Sequence, residues 1–453
     1  MLINLLKLLS LFSIYIIYYK YYQTENIYIA DKIINLIKNS ENVFWKLSQW
    51  ISSRIEFQSN LKNNYLINNL KQFYENCPNH NFQFTKNTLE NHFHKPINEI
   101  FQSIQETPDA SGSIGQIHIA TINNKKVAIK IKHPNIDYNI NYLCFIIKYF
   151  IKIRYLLKKI NFDISGIEDY LLKQTNFINE ASNLKKLKTL FLNNEYVTIP
   201  EVYEATNDFI IMEYIDGDNI EIFYNKCIKE EKKSDHWEIM IKFWLFIRES
   251  ILLHNFLHAD LHKGNWKINN NKIIIYDLGI VIDNPKDKET NYDIWRGFEC
   301  RSPKILSKAI AQNLTNDINK EEFIEELTTY LTNKMDIYSI DFIGDIRNLL
   351  QFLNEKNVVL NFQTLTYLLA FNLASLNFKN FNFIDDNTRT YYEQHLDRFA
   401  LLREKCQIYN NENMKKQLEL DEEFFINENK EILRQINLKK ENSALDDLSS
   451  DSE

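Results

Sequence analysis

A chain of 453 residues is longer than one ordinary core, so two or three folded units are expected. A hydrophobic fraction of 45% supplies a globular interior, and a net charge of −7, partly in the C-terminal tail, argues against a broad basic surface for nucleic acid. The five cysteines are scattered and form no CxxC pair, which argues against a disulfide framework and a zinc site.

Residues 1–23 begin MLINLLKLLSLFSIYIIYYKYY and read as a membrane-anchor or signal-like apolar segment. Spanning a bilayer takes roughly 17–25 mostly apolar residues, and Leu2 to Tyr19 just suffices with Lys7 inside it. The tyrosines near Lys20 suit a membrane interface, and no small-residue cleavage site follows. A buried or partner-binding helix is the alternative. From Ala30 to Gln72, Ile33, Ile34, Ile37, Val43, Phe44, Leu47, Trp50 and Ile51 recur with helical spacing. Asn60 to Phe73 is expected as a second amphipathic helix, ended by Cys77-Pro78, and Thr88 to Ile104 as a third, capped near Thr88. Residues 24–106 thus read as an N-terminal helical extension.

The pattern changes at Thr107. Ile114 to Thr121 alternates as a strand, Asn123-Asn124 makes a turn, and Lys126 to Lys132 alternates again, which predicts a hairpin. Ahead of it lie Ala110, Ser111, Gly112 and Ser113, small residues whose backbone N–H groups can approach phosphates closely. Lys130 stands in Val127-Ala128-Ile129-Lys130, the form of a strand lysine that pairs nucleotide phosphates and a helix glutamate. Asn139 to Leu157 and Ile167 to Leu190 have helical character, and the second carries Glu180, the expected partner of Lys130. Val197 to Tyr203 and Phe209 to Met212 read as strands. Glu213 and Tyr214 follow in a connection between lobes, with backbone groups placed to face an adenine. Residues 107–217 are therefore expected as a small sheet-based lobe with a helical insert.

Residues 218–440 read as a helical lobe interrupted by His254 to Gly279. There Asp260 precedes Asn265 by five residues, and the strand Lys272 to Tyr276 delivers Asp277-Leu278-Gly279. This is the spacing of a protein-kinase catalytic loop, in which an aspartate orients the acceptor and an asparagine binds magnesium. Mg²⁺ takes oxygen donors in near-octahedral geometry, usually one or two protein groups plus substrate phosphates, and Asn265 with Asp277 meets that need. The alternative is an ordinary polar turn with Asp260 as a helix cap. Further helices are expected over Trp295–Leu314, Lys320–Met335, Phe342–Phe352, Leu360–Leu376 and Tyr391–Tyr409, and residues 441–453 form an acidic tail of disordered composition.

Taken together, these motifs resemble the UbiB-type atypical kinases, the family tied to ubiquinone biosynthesis. The likeness rests on Lys46-x-Ser48-Gln49, on Ala110 to His118, on Val127-Ala128-Ile129-Lys130-x-x-His133-Pro134, on Met212-Glu213-Tyr214 and on His258-Ala259-Asp260-x-His262-x-Gly264-Asn265. It covers roughly Val43 to Val281. The resemblance implies an α+β, protein-kinase-like bilobal fold with an extra N-terminal helical extension. It also implies binding of ATP or ADP with Mg²⁺, ATPase or kinase activity, and work at a membrane on a lipid or hydrophobic small molecule. The second reading is a nucleotide-gated scaffold of weak catalysis that binds lipid or protein partners. Lys46, Gln49, Gln174 and Asn176 match the family's regulatory positions, but the family's glycine is Ser48 and its two carboxylates are Gln174 and Asn176. An inhibitory docking of the Lys46 helix is therefore expected to be weakened, and Gly112 moves the loop toward a conventional glycine-rich one. No arginine precedes Asp260, so regulation by activation-loop phosphorylation is not expected.

Overall fold

The computed structural model describes residues 2–40, 44–45, 48, 65–70, 77–145, 166–283, 288–335, 342–377, 391–434 and 436. Lys46, Gln49 and the acidic tail lie outside them.

Two helices open the chain, α1 (Leu2–Tyr22) and α2 (Ile27–Lys38). Asn26 caps α2 by accepting from the Ile29 N–H, and Ala30, Ile33, Ile34 and Ile37 form its buried stripe. Helix α1 lies against α2 and buries Leu8 and Tyr15 in the main core. Among the described residues, no helix is long and apolar enough to cross a membrane. The single-pass anchor expected over residues 1–23 is thus corrected. Asn4, Lys7, Ser10 and Ser13 interrupt the apolar run, and one side of the helix is taken up by packing on the protein.

Three short helices follow, α3 (Tyr65–Leu70), α4 (Phe82–Phe93) and α5 (Ile97–Ile100). The helix expected from Thr88 begins six residues earlier, because Asn81 accepts from the Gln83 N–H and leaves Thr88 in mid-helix. It ends where His94 adopts a left-handed conformation with φ of 54°. Its expected C-terminal end is instead a strand, β1 (Ser103–Ile104).

Next come β2 (Ala110–Ser111), β3 (Gly115–Ile122) and β4 (Lys125–Lys132). The Asn123-Asn124 turn has φ of 48° and 62°, the doubly left-handed form that suits a tight hairpin and that asparagine tolerates. The expected helix from Ile167 to Leu190 is two, α6 (Ile167–Thr175) and α7 (Phe177–Leu190). Asn176 between them is extended, and its side chain accepts from the Asn179 N–H to cap α7. Strands β5 (Val197–Thr198), β6 (Val202–Ala205) and β7 (Phe209–Glu213) complete this part. The antiparallel sheet runs in the order β1-β3-β4-β7-β6, with β2 beside β3.

Strand β4 is buried on both faces, and the two-residue period of a strand sorts its side chains. Val127, Ile129 and Ile131 pack with Leu89 of α4, Phe101, Phe209 and Ile211 in a separate small core. Ala128 turns to the main core, on the face shared with Lys130. Burying each such aliphatic side chain is worth roughly 1.5–3 kcal/mol. The same packing fixes the register, since a one-residue slip would turn Lys130 into the small core. Gly115 of β3 is required by close approach, because a Cβ there would lie 2.3 Å from the Ile131 carbonyl oxygen.

The second lobe starts with α8 (Ile220–Lys229) and the buried α9 (Lys233–Leu252). Four short strands follow, β8 (Phe256–His258), β9 (Trp266–Asn269), β10 (Lys272–Ile275) and β11 (Val281–Asp283). Strand β10 pairs with β9 and, in parallel, with β5, while β11 pairs with β8. Helices α10 (Lys288–Glu299), α11 (Pro303–Gln312), α12 (Lys320–Lys334), α13 (Phe342–Glu355), α14 (Phe362–Leu376), α15 (Tyr391–Ile408) and α16 (Glu412–Glu428) close the lobe. The helix expected over Trp295–Leu314 is broken into α10 and α11, because Ser302 caps a new start with Pro303 behind it. Arg248 of α9 is buried and bonded to Glu299 of α10 and, at 2.7 Å, to Asp421 of α16, so three helices meet at one charge cluster. The α+β, bilobal expectation is met.

Candidate active site

The sheet lobe and the helical lobe face each other across a cleft of about 630 Å³. Its walls carry Ala110, Ser111, Gly112, Ser113, Lys130, Gln174, Glu180, Glu213, Tyr214, Asp260, Asn265 and Asp277. Residues that are far apart in sequence therefore meet in one place. Asn176 lies outside the cleft wall, on its helix cap, and Lys46 and Gln49 fall outside the described residues.

Lys130 is the centre of the arrangement. Its Nζ lies 2.7 and 2.9 Å from the two Glu180 oxygens and 3.1 Å from Asp277 Oδ2. Glu180 is buried in the first turn of α7, and Phe177, one turn earlier, puts its ring 5.2 Å from the ammonium. Burial works against the Lys130 charge, but Asp277 and Glu180 outweigh it and hold the pKa above the lysine norm. Burial pushes the Glu180 carboxyl up to about 7, with Lys130 pulling the other way. Two carboxylate oxygens within 2.9 Å of one ammonium make this an ion pair.

Asp277 stands at the end of β10 with φ of 60°, in the left-handed region that aspartate tolerates. Two side chains, His258 and Asn183, fix the chain around it. His258 accepts from the Asp260 N–H at Nδ1 and donates from Nε2 to the Tyr276 carbonyl at 3.3 Å, so its tautomer is set. Burial lowers the His258 pKa and keeps the ring neutral. Asn183 of α7 donates to the Leu278 carbonyl at 2.9 Å, tying the Asp277 turn to the helix that carries Glu180.

Asn265 Nδ2 donates to the Asp260 carbonyl at 2.9 Å, which leaves the amide oxygen as its donor atom for a hard cation. With the Asp277 carboxylate it makes a two-oxygen set that fits Mg²⁺ carried in on phosphates. Among the described residues, no group of three His, Cys, Asp or Glu is arranged to hold a metal unaided.

The loop after β2 is held from two sides. Cys77 N–H donates to the Ser111 carbonyl at 2.9 Å, and His133 Nε2 lies 2.9 Å from the Gly112 carbonyl. No glycine among the described residues has a positive φ, so Gly112 is not there for a left-handed turn. At the connection between lobes, the Tyr214 N–H donates to the Lys126 carbonyl and the Glu213 carboxylate accepts from the Glu201 N–H. Gln174 is buried at the cleft wall with its Oε1 lacking a hydrogen-bond partner among the described residues. Sequence reasoning missed Asn183, His258 and Gly115 as supports of the site. The signals available were the positions of His258 and Gly115 inside the motifs that carry the resemblance.

A lysine on the third strand of an antiparallel sheet, paired to a helix glutamate and set over an Asp…Asn loop and an Asp-Leu-Gly turn, defines a protein-kinase-like catalytic cleft. The model of the ABC1 atypical kinase-like domain matches residues 72–298, and the chain belongs to that family. It is 33% identical over 244 residues to the probable serine/threonine-protein kinase abkC of Dictyostelium discoideum, covering 51% of this chain and 34% of that protein. It is 31% identical over 235 residues to the probable protein kinase UbiB of Shewanella sp. (strain MR-4), covering 49% of this chain and 41% of that protein. The match thus spans less than half the length of these relatives. A looser likeness is to the erythromycin complex of Rv3197 from Mycobacterium tuberculosis, with TM-score 0.46 and 19% identity over 66% of this chain and 80% of that one.

Proposed function

We propose that this chain binds a magnesium nucleotide in the cleft and transfers its γ-phosphoryl group to a hydroxyl or to water, acting at a membrane in lipid or quinone-related metabolism. The observation that carries the reading is Lys130 bridging Glu180 and Asp277 at 2.7 and 3.1 Å. An ammonium held there meets nucleotide phosphates, and Glu180 keeps it aimed. The backbone of Ala110 to Ser113 covers the phosphates, and Glu213 with Tyr214 meets the base. Asn265 and Asp277 would hold Mg²⁺, which supplies charge neutralisation at the transferring phosphoryl group. Asp260 orients the acceptor and takes its proton.

Support for a membrane comes from α1. Ile3, Leu6, Ile14, Ile17, Tyr21 and Tyr22 are exposed on it, while Leu8 and Tyr15 face the core. Such a helix can lie in the interface plane instead of crossing. Gln174 supports weak autoinhibition, since its neutral amide offers no charge to a lysine docked over the cleft. Lys46 and Gln49 belong to the same reading.

The binding test is thermal stabilisation by Mg-ATP. Unsubstituted protein should be stabilised and Asp277→Asn should lose most of that shift while keeping its own melting temperature. An unchanged shift in the variant removes Asp277 from the metal site.

A further inference from the structure

Behind the loop at Ala110 to Ser113, outside the cleft, three histidines cluster, and two of them, His80 and His133, form a hydrogen-bonded chain to the loop. His80 Nδ1 is 2.8 Å from His133 Nδ1, and His133 Nε2 is 2.9 Å from the Gly112 carbonyl oxygen. In the other direction His80 Nε2 is 3.0 Å from Thr85 Oγ1, which is 3.3 Å from His118 Nε2. His118 Nδ1 is 2.8 Å from the Gln105 carbonyl, and Gln116 Nε2 is 2.9 Å from His118 Nε2. His118, His133, Gln116 and Thr85 are buried, and His80 is half-buried.

The donors and acceptors allow one assignment. A carbonyl only accepts, so His133 must carry its proton on Nε2. Neutral His133 then accepts at Nδ1, which requires His80 to donate from Nδ1. Neutral His80 accepts at Nε2, and the Thr85 hydroxyl donates to it. On the far side the Gln105 carbonyl puts the His118 proton on Nδ1, leaving Nε2 to accept from the Gln116 amide. Burial lowers the pKa of all three rings, in keeping with a neutral chain. From Thr85 through His80 and His133 each donor therefore points toward Gly112, while Gln116 donates to His118 and His118 to Gln105.

We propose that His133, held in its Nε2–H tautomer by His80, is the residue that positions the Gly112 carbonyl and with it the nucleotide loop. This rests on the nucleotide reading of the cleft given above. Two further contacts support it. His133 directly follows β4, the strand of Lys130, and its N–H donates to the Ile114 carbonyl on the far side of the loop at 2.9 Å. One strand and the residue directly after it thus carry both the phosphate lysine and the loop clamp. The ring of Trp45 packs edge-on to His133 at 6.0 Å and donates from Nε1 to the Ile37 carbonyl of α2, so the clamp touches the N-terminal helical layer.

The test has a part that needs no nucleotide. ¹⁵N-labelled histidine in the full chain at neutral pH should show His133 as the Nε2–H tautomer and His80 and His118 as Nδ1–H tautomers. His80→Ala should remove the donor to His133 Nδ1 and shift that nitrogen's resonance, leaving the Gly112 carbonyl as the one bond that favours the Nε2–H tautomer. Hydrogen exchange at Gly112 and Ser113 should speed up in His133→Leu and be restored toward the original rate in His133→Gln, whose amide keeps a donor. In nucleotide titrations with Mg-ATP, His133→Leu should raise Kd by about three- to tenfold, the effect of losing one hydrogen bond, and His80→Ala by less. His133 found charged or as the Nδ1–H tautomer overturns the proposal. So does His133→Leu folding with unchanged loop exchange and unchanged Kd. If the unsubstituted chain binds no Mg-ATP, the nucleotide reading fails and takes the positioning role with it, while loop exchange still decides whether the tether exists.

Discussion

At the residue scale the cleft depends on how a few polar atoms are assigned. Gln174 is the clearest case, because its buried Oε1 has no hydrogen-bond partner among the described residues while it lines the same cleft as Lys130 and Asp277. Gln174→Glu places a carboxylate where it competes for Lys130 and repels phosphates. Turnover and Mg-ATP affinity should both fall, by a few-fold to tenfold if the loss is about 1 kcal/mol. Isotherms that superimpose would show that position 174 does not act on the nucleotide. Asn176, by contrast, already serves as a helix cap, a task that aspartate performs equally well. The histidine chain gives the pH dependence. The folded pKa of His80 is pulled down to about 3, by burial first and then by His133 and His118. A depressed folded pKa contributes stability that is fully present above the unfolded value of 6.5 and is lost as pH falls from there toward about 3. Melting temperature followed from pH 8 to pH 4 should drop less steeply in His80→Phe than in the unsubstituted protein, and parallel curves would refute the assignment.

At the element scale, β4 was the most legible piece and α1 the least. The alternation through Val127, Ile129 and Ile131 and the double asparagine turn are local signals, and both appear where the sequence put them. Two helix boundaries were shifted where an asparagine took over a cap. Asn81 drew α4 forward, and Asn176 divided one expected helix into α6 and α7. A chain so rich in asparagine offers many caps, and periodicity alone does not choose between them. For α1, hydropathy along the sequence does not say which side will find a partner. The structure places Leu8 and Tyr15 against the core and leaves Ile14 and Ile17 exposed. If that outer side rests on lipid, Ile14→Ser with Ile17→Ser should lower co-sedimentation with anionic vesicles severalfold and leave the melting temperature unchanged. Equal sedimentation would move the contact to another surface.

At the scale of the whole molecule, the residues that meet in the cleft were legible as a set because each belongs to a short motif of fixed spacing. Their support was not. Asn183 to Leu278, His133 to Gly112 and His258 to Tyr276 join segments 95, 21 and 18 residues apart, and no local pattern announces such a pairing. The two lobes share the work. The sheet lobe supplies Lys130 and the loop, α7 supplies Glu180 and braces the Asp277 turn, and the helical lobe supplies Asp260 and Asn265. Asp260 separates an enzyme from a nucleotide-gated scaffold, since it would act on the acceptor and not on binding. The most direct measurement is steady-state phosphate release from Mg-ATP by the purified chain, alongside Mg-ATP affinity, for the unsubstituted protein and Asp260→Asn. The account predicts measurable turnover, a fall of at least about 100-fold in Asp260→Asn, and an affinity within twofold of the original. Turnover that persists in Asp260→Asn, or binding without any turnover in the unsubstituted chain, would contradict it.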